Sequence, residues 1–234
     1  MSAIMQMVMN NIQPVPVLYY DPSNSLSYSG SGTTVNSLVS PNLTSTLTNI
    51  TYTNPYFTYN GTNATSSVAD NSLLEPGAGN LTLEVWVYYS VITGSSRCIV
   101  SKTDGGNAAD WSYGLRTNTT GSTYLEVGNG TTSVTSPSYT VSTGQWYHIV
   151  GVYTNIGSKT MTLYINGVSQ GSNSHSFSSV KNSTHALSFG SFDGGATFGQ
   201  WFNGRMGIYR QYNSALSEAQ VFANYNTTKG LYGL

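Results

Sequence analysis

Ionisable side chains are scarce in this chain. Eight Lys and Arg and nine Asp and Glu make up 7% of its 234 residues and leave a net charge of −1, against about a quarter charged in an ordinary soluble domain. The eight cations are scattered. The clustered basic surface that neutralises phosphates is therefore missing, which argues against nucleic acid as a partner and equally against a polybasic membrane contact. No run approaches the ~20 apolar residues of a membrane-spanning helix. The opening MSAIMQMVMNN has neither the basic residues nor the apolar stretch of a secretory signal, so the expectation is a cytoplasmically made chain with no membrane partner. The single cysteine, Cys98, excludes an internal disulfide. It lies in the apolar run Cys98-Ile99-Val100 and reads as a small buried hydrophobe. Helix formers at helical spacing are also missing, which excludes a long bundle.

Hydroxyls and amides take the place of charge: Ser (34), Thr (29), Asn (22) and Tyr (18) dominate. With 38% hydrophobic and 12% aromatic residues the chain can build a core, and disorder is excluded. Leu81-Thr-Leu-Glu-Val-Trp-Val-Tyr88 alternates with period two, placing Leu81, Leu83, Val85 and Val87 on one face and Thr82, Glu84, Trp86 and Tyr88 on the other. Segments starting at Arg97, Tyr124, Trp146, Met161 and Ala186 read the same way. Asn166-Gly167 predicts a type I′ hairpin, because both central residues need positive φ. Asn60-Gly61, Asn129-Gly130 and Asn203-Gly204 are further turn candidates. Many short strands at roughly ten-residue spacing predict an all-β, two-sheet antiparallel jelly-roll sandwich. One short C-terminal helix is predicted, with Ser217 as N-cap, Gln220 completing a capping box, Leu216 and Val221 as a hydrophobic staple, and Gly230 as the stop. The expected organisation is an N-terminal extended arm over 1–16 and one domain over 17–234. In the arm, Met5, Met7, Met9, Pro14 and Pro16 form an adaptable docking surface for a neighbouring subunit.

Chemistry is thinly spread. Glycoside hydrolysis needs two carboxylates ~5 to ~9 Å apart. No two of the nine acids lie within four residues of each other, so only a pair from separate strands could serve, and Glu84 reads as structural. His148, His175 and His185 lack zinc-ligand spacing. Calcium wants six to eight oxygens, and Asp104-Gly-Gly-Asn107 with Asp110 is the richest local cluster. Asp104, Asn107 and Asp110 are therefore the candidate ligands of a weak calcium site, with the Asn60–Asn63 turn and Asp70 as a second candidate. No other cofactor is implied. Ser191-Phe-Asp193-Gly-Gly195-Ala-Thr197-Phe fits an Asp-box hairpin pattern, but occurs once. Among aromatic platforms for a sugar, Trp111 and Tyr113 beside the Gly-rich stretch come first and Trp201 second. Trp86 and Trp146 lie in strand patterns and are assigned to core packing.

Trp146-Tyr-His-Ile-Val-Gly-Val-Tyr followed by Met161-Thr-Leu-Tyr-Ile-Asn-Gly-Val resembles the signature hairpin of laminin-G-like, concanavalin A-like domains. Leu83-Glu-Val-Trp-Val resembles their core strand, and Phe202-Asn-Gly-Arg-Met through Ala219-Gln-Val their closing strand and helix. The opening Tyr20-Asp-Pro-Ser-Asn and the closing Asn224-Tyr-Asn-Thr-Thr-Lys-Gly-Leu-Tyr-Gly-Leu resemble stand-alone members encoded by large phages and aquatic viruses. That resemblance implies a jelly roll, a non-enzymatic virion structural or decoration protein, partners among other capsid proteins and copies of itself, and a place on the virion surface. The alternative it implies is a glycan-binding adhesin. Two departures stand out: Met206-Gly207 replaces an acidic pair, and Asn60-Gly-Thr-Asn63 carries amides where some members have carboxylates. A surface of Ser, Thr and Asn suits docking, since it packs without desolvating ions.

Overall fold

Alternation of side chains decides the architecture. In the computed structural model, which describes residues 13–92, 97–193 and 200–234, seventeen strands pair antiparallel into two sheets. The first sheet runs β15 (Val168–Ser174), β14 (Thr160–Ile165), β13 (Trp146–Thr154), β7 (Leu81–Tyr89), β17 (Asn203–Tyr212), β5 (Tyr56–Asn60) and β4 (Thr51–Thr53), with β1 (Leu18–Tyr20) also on β17. The second runs β11 (Ser133–Thr135), β10 (Ser122–Gly128), β9 (Trp111–Thr117), β8 (Arg97–Thr103), β16 (Leu187–Phe189), β6 (Thr65–Val68), β3 (Thr44–Thr48) and β2 (Thr34–Asn36), with β12 (Tyr139–Thr140) on β10. This is the expected jelly-roll sandwich, with one short helix, α1 (Glu218–Thr228), near the C-terminus.

The core lies between the sheets. Leu83, Val85 and Val87 of β7, Ile149 of β13, Leu115 of β9 and Leu125 of β10 are all fully buried. Each such side chain contributes about 1.5–3 kcal/mol through removal from water. Gly151 on β13 permits the close approach of the sheets, since a Cβ there would stand 2.8 Å from Leu125 Cβ. Cys98 is fully buried, and burial pushes its thiol up to about 12.

One expected turn and the expected helix stop are corrected. Asn166 and Gly167 do close the β14–β15 hairpin with φ of 51° and 80°. Asn203-Gly204, however, is inside β17 rather than in a turn: Gly204 pairs with Tyr59 and Tyr89 and has no room for a side chain against the Tyr88 carbonyl. The helix starts as expected, with the Ser217–Gln220 capping box formed on both sides. It does not stop at Gly230. A short 3₁₀ turn continues over Lys229–Tyr232, and the left-handed residue is Gly233, φ 77°. Before β1, the Val17 amide donates to the Gln211 carbonyl (2.8 Å) and Gln13 Nε2 to the Gln220 carbonyl (3.2 Å). Pro14 and Pro16 are partly buried along this path, while Met5, Met7 and Met9 lie outside the described residues, as does most of the Asp-box turn (194–199).

Candidate functional site

The outward side of the first sheet carries the unusual residues. Because β7 alternates, Glu84, Trp86 and Tyr88 point away from the inter-sheet core. Their neighbours across β13 are Val150, His148 and Trp146. On the other side β17 would present only one of Arg205 and Arg210 on this face if it alternated strictly. A bulge at Gly207-Ile208 shifts the register between Met206 and Tyr209 and brings both arginines to the same side. Tyr232 fixes the bulge: its hydroxyl accepts from the Ile208 amide (2.8 Å) and occupies the space a Cβ on Gly207 would need.

Helix α1 and the turn after it cover half of this face. Beneath them Glu84 is fully buried, and its Oε1 accepts from Arg210 Nη1 (2.6 Å) and His148 Nε2 (3.1 Å) while Oε2 accepts from Asn224 Nδ2 (2.7 Å) and Tyr212 Oη (3.4 Å). Burial alone pushes the Glu84 carboxyl up; Arg210, His148 and Asn224 together outweigh it and hold it down to about 2. An ionised Glu84 only accepts, so His148 Nε2 carries the proton. Trp86 is also fully buried, but under the C-terminal turn rather than between the sheets: it stacks on Tyr232 (ring centroids 4.4 Å) and donates from Nε1 to Thr228 Oγ1 (2.9 Å). This buried cluster anchors the helix.

Among the described residues no element covers the other half of the face, whose side chains are partly exposed. One transverse row reads Trp146, Tyr88, Arg205, Thr58 across β13, β7, β17 and β5, all paired directly and all partly exposed. Tyr56 joins from β5. Trp146 packs against Tyr56 (5.5 Å), Tyr88 (5.7 Å) and Tyr232 (4.5 Å), and the Arg205 guanidinium lies over both Tyr88 (4.6 Å) and Tyr56 (4.8 Å). Trp146 is thus partly buried, packed against the outer cluster of Trp86, Ile208 and Tyr232 rather than between the sheets. The signal was present in the alternation itself, since Trp146 falls on the face opposite the buried Tyr147 and Ile149.

The residues expected to form a platform do not form one. Trp111 opens β9 with 2% exposure, packed against Phe192 (5.0 Å) with Arg116 over its ring (4.9 Å). Tyr113 is fully buried in the inter-sheet core, donating to the Leu74 carbonyl (2.7 Å) and accepting from Gln211 Nε2 (3.0 Å). Tyr113 lies in the inter-sheet core and Trp111 in a separate cluster under Phe192 with Cys98, so neither offers a face to a sugar. Trp201 is partly exposed, and its carbonyl accepts from Arg97 Nη1 (3.0 Å).

Nor do the expected calcium ligands converge. Asp104 is taken by Lys181 (2.8 Å), Ser183 (2.5 Å) and His185 (3.0 Å). Burial raises its carboxyl and these partners outweigh it, holding it near 2. Asp110 instead accepts from the Asn107 amide and side chain, both 3.1 Å. In the second candidate, Asn60 Oδ1 accepts from the amides of Thr62, Asn63 and Ala64, and Asp70 pairs with Lys102 (2.7 Å). Among the described residues no three His, Cys, Asp or Glu side chains group as a metal site. Asp70 and Glu75 do approach one another, but both clamp the fully buried Lys102 ammonium, at 2.7 and 2.8 Å. A buried cation needs such counter-ions, and a catalytic pair would have to give them up.

Comparison with solved structures finds the same fold in neurotoxin binding domains. The botulinum neurotoxin serotype D binding domain matches at TM-score 0.69 and 14% identity over 93% of this chain and 52% of that one. The serotype D ligand binding domain in complex with N-acetylneuraminic acid matches at 0.68, 14%, 96% and 53%, and the serotype DC binding domain in complex with rat synaptotagmin II at 0.68, 10%, 91% and 51%. The chain thus spans about half the length of these structures. No curated protein sequence matches it significantly. A family model does, over residues 60–222, from the strand that carries Tyr56 to the helix that seals Glu84, and on that match the chain belongs to the concanavalin A-like lectin/glucanases superfamily.

Proposed function

We propose that this chain is a non-enzymatic glycan-binding module displayed on the surface of a virus particle. The observation that carries the glycan reading is the open row on the first sheet. Trp146, Tyr56 and Tyr88 present partly exposed rings in one patch, and ring faces pack on the C–H groups of a pyranose while neighbouring donors engage its hydroxyls. The ion-paired carboxylates support the absence of hydrolysis: Glu84 is sealed, Asp70 and Glu75 hold Lys102, Glu126 holds Arg116 at 2.6 Å, and Asp104 holds Lys181. A structurally similar domain that holds N-acetylneuraminic acid is in keeping with a sugar ligand.

A glycan array with the purified chain, followed by amide shift mapping with the best ligand, tests this. Shifts are expected at residues 56–58, 86–90, 146–148 and 203–206, and Trp146→Ala is expected to abolish binding while the β-sheet circular dichroism persists. Binding to no glycan, or shifts confined to another surface, overturns the reading. The virion placement rests on the viral resemblance of the two ends and on a surface poor in charge. It predicts that the protein sediments with virus-sized particles, and that removing residues 1–16 abolishes this. Its absence from particles refutes the placement while leaving the glycan reading standing.

A further inference from the structure

The chain has four arginines, and three of them are spoken for. Arg97 donates to the Trp201 carbonyl, Arg116 to Glu126 and Gln200, and Arg210 to Glu84 and Tyr19. Arg205 differs. Its contacts among the described residues are the faces of Tyr56 and Tyr88, and no carboxylate, carbonyl or hydroxyl accepts from its guanidinium. The cation is nevertheless partly buried and held in place by two rings. A guanidinium is planar and directs paired N–H groups into a fork that matches a carboxylate. Contact with two rings restrains the side chain in advance, so less of its freedom remains to be lost on binding. Trp146 lies two strands away in the same transverse row, across Tyr88, so the indole, the two tyrosine rings and the cation form one continuous patch.

We propose that Arg205 makes this face selective for glycans carrying a carboxylate on the pyranose ring, as uronic and sialic acids do. The inference rests on the glycan reading and adds the ligand's charge to it. The carboxylate replaces water on the guanidinium fork, with the pyranose on Trp146 and the tyrosines at its flank. Because no acidic side chain pairs with Arg205, an anionic ligand has no counter-ion to displace. The charge complementarity favours an acid over the many neutral glycans that the rings alone would accept.

The test is calorimetric titration of the wild-type protein with four probes: 3′-sialyllactose, a glucuronate-terminated oligosaccharide, and the methyl ester of each. Amide mapping accompanies every titration. At least one free acid is expected to bind about tenfold or more tighter than its ester, and which of the two does so separates sialic from uronic recognition. Arg205→Gln is expected to remove that difference and leave the weak ester-level affinity. Arg205→Lys keeps the charge but loses the fork, and should recover less than half of the preference on a logarithmic scale. Equal binding of acids and esters at the row, with Arg205→Gln unchanged, overturns the inference and leaves the glycan reading intact. Tight binding of a sulfated oligosaccharide or an acidic peptide at the same amides, equal to that of the acids, also overturns it, since any anion would then suffice. Absence of shifts in the row with every probe defeats both. The acid–ester comparison uses the unaltered protein, so it decides even if an Arg205 variant folds poorly.

Discussion

Replacing Glu84 by Gln should destabilise the fold more than any other single change of comparable size, and the structure gives the magnitude. Glu84 is fully buried and Arg210 is 11% exposed, with 2.6 Å between Oε1 and Nη1. Removing one partner of a buried pair strands the other charge and costs about 3–5 kcal/mol. For a domain of this size that lowers the melting temperature by roughly 6 to 20 °C. The double variant Glu84→Gln/Arg210→Met leaves no stranded charge, so it should cost less than the sum of the single changes. The pH profile gives an independent check. The folded carboxyl is held to about 2, against an ordinary value of 4.5. The stabilisation is therefore present above pH 4.5 and lost as the pH falls towards 2. It amounts to an order of ~3 kcal/mol. Urea denaturation of wild type and Glu84→Gln at several pH values between 2 and 6 measures both effects. Their stability curves should converge on acidification. If the glutamine variant loses under 1 kcal/mol at pH 6, or if the two curves run parallel down to pH 2, the buried pair does not anchor the helix as described here.

Gly207→Ala places a methyl group where the Tyr232 hydroxyl sits, so thermal denaturation should report a loss of about 1–3 kcal/mol. Tyr232→Phe keeps the ring on Trp86 and Trp146 but strands the buried Ile208 amide, costing about 1–3 kcal/mol; Tyr232→Ala also removes the ring contacts and should cost more in the same thermal denaturation, with loss of glycan affinity in the titrations. Cys98 should not react with a thiol reagent in native buffer and should react fully in denaturant, because it is fully buried with its thiol pushed up to about 12; rapid native labelling would refute the burial.

How far the molecule was legible in its sequence depends on the range of the interactions involved. The sides of β7, the Ser217–Gln220 cap and the Asn166-Gly167 turn follow from residues at most four apart, and each formed as expected. Cys98 was readable for the same reason, from its apolar neighbours. The open row was not, because Thr58, Tyr88, Trp146 and Arg205 come from four strands that only topology brings together. The bulge at Gly207-Ile208 hid more, since strict alternation would send Arg205 and Arg210 to opposite sides. Trp111 and Tyr113 misled because a glycine-rich neighbour suggests a loop, whereas β8 and β10 draw the segment into a sheet. Asp104 and Asp110 misled similarly: closeness in sequence does not oblige two carboxylates to point at one centre when Lys181 and Asn107 compete for them.

The two arginines of β17 share one sheet face and differ in their surroundings. Both lie on the outward side, five residues apart, and both sit over tyrosine rings, Arg210 on Tyr19 (4.6 Å) and Arg205 on Tyr56 and Tyr88. What separates them is the cover. Helix α1 delivers Asn224 to the carboxylate that neutralises Arg210, and the turn after it ends with Tyr232 against Trp146. Among the described residues the cover over the sheet ends at that ring. Beyond it lies an aromatic surface with a cation whose donors find no acceptor among the described residues. The same bulge that permits the seal over Arg210 creates this opening: Gly207 admits Tyr232, Tyr232 holds the bulge, and the bulge keeps both arginines on one side.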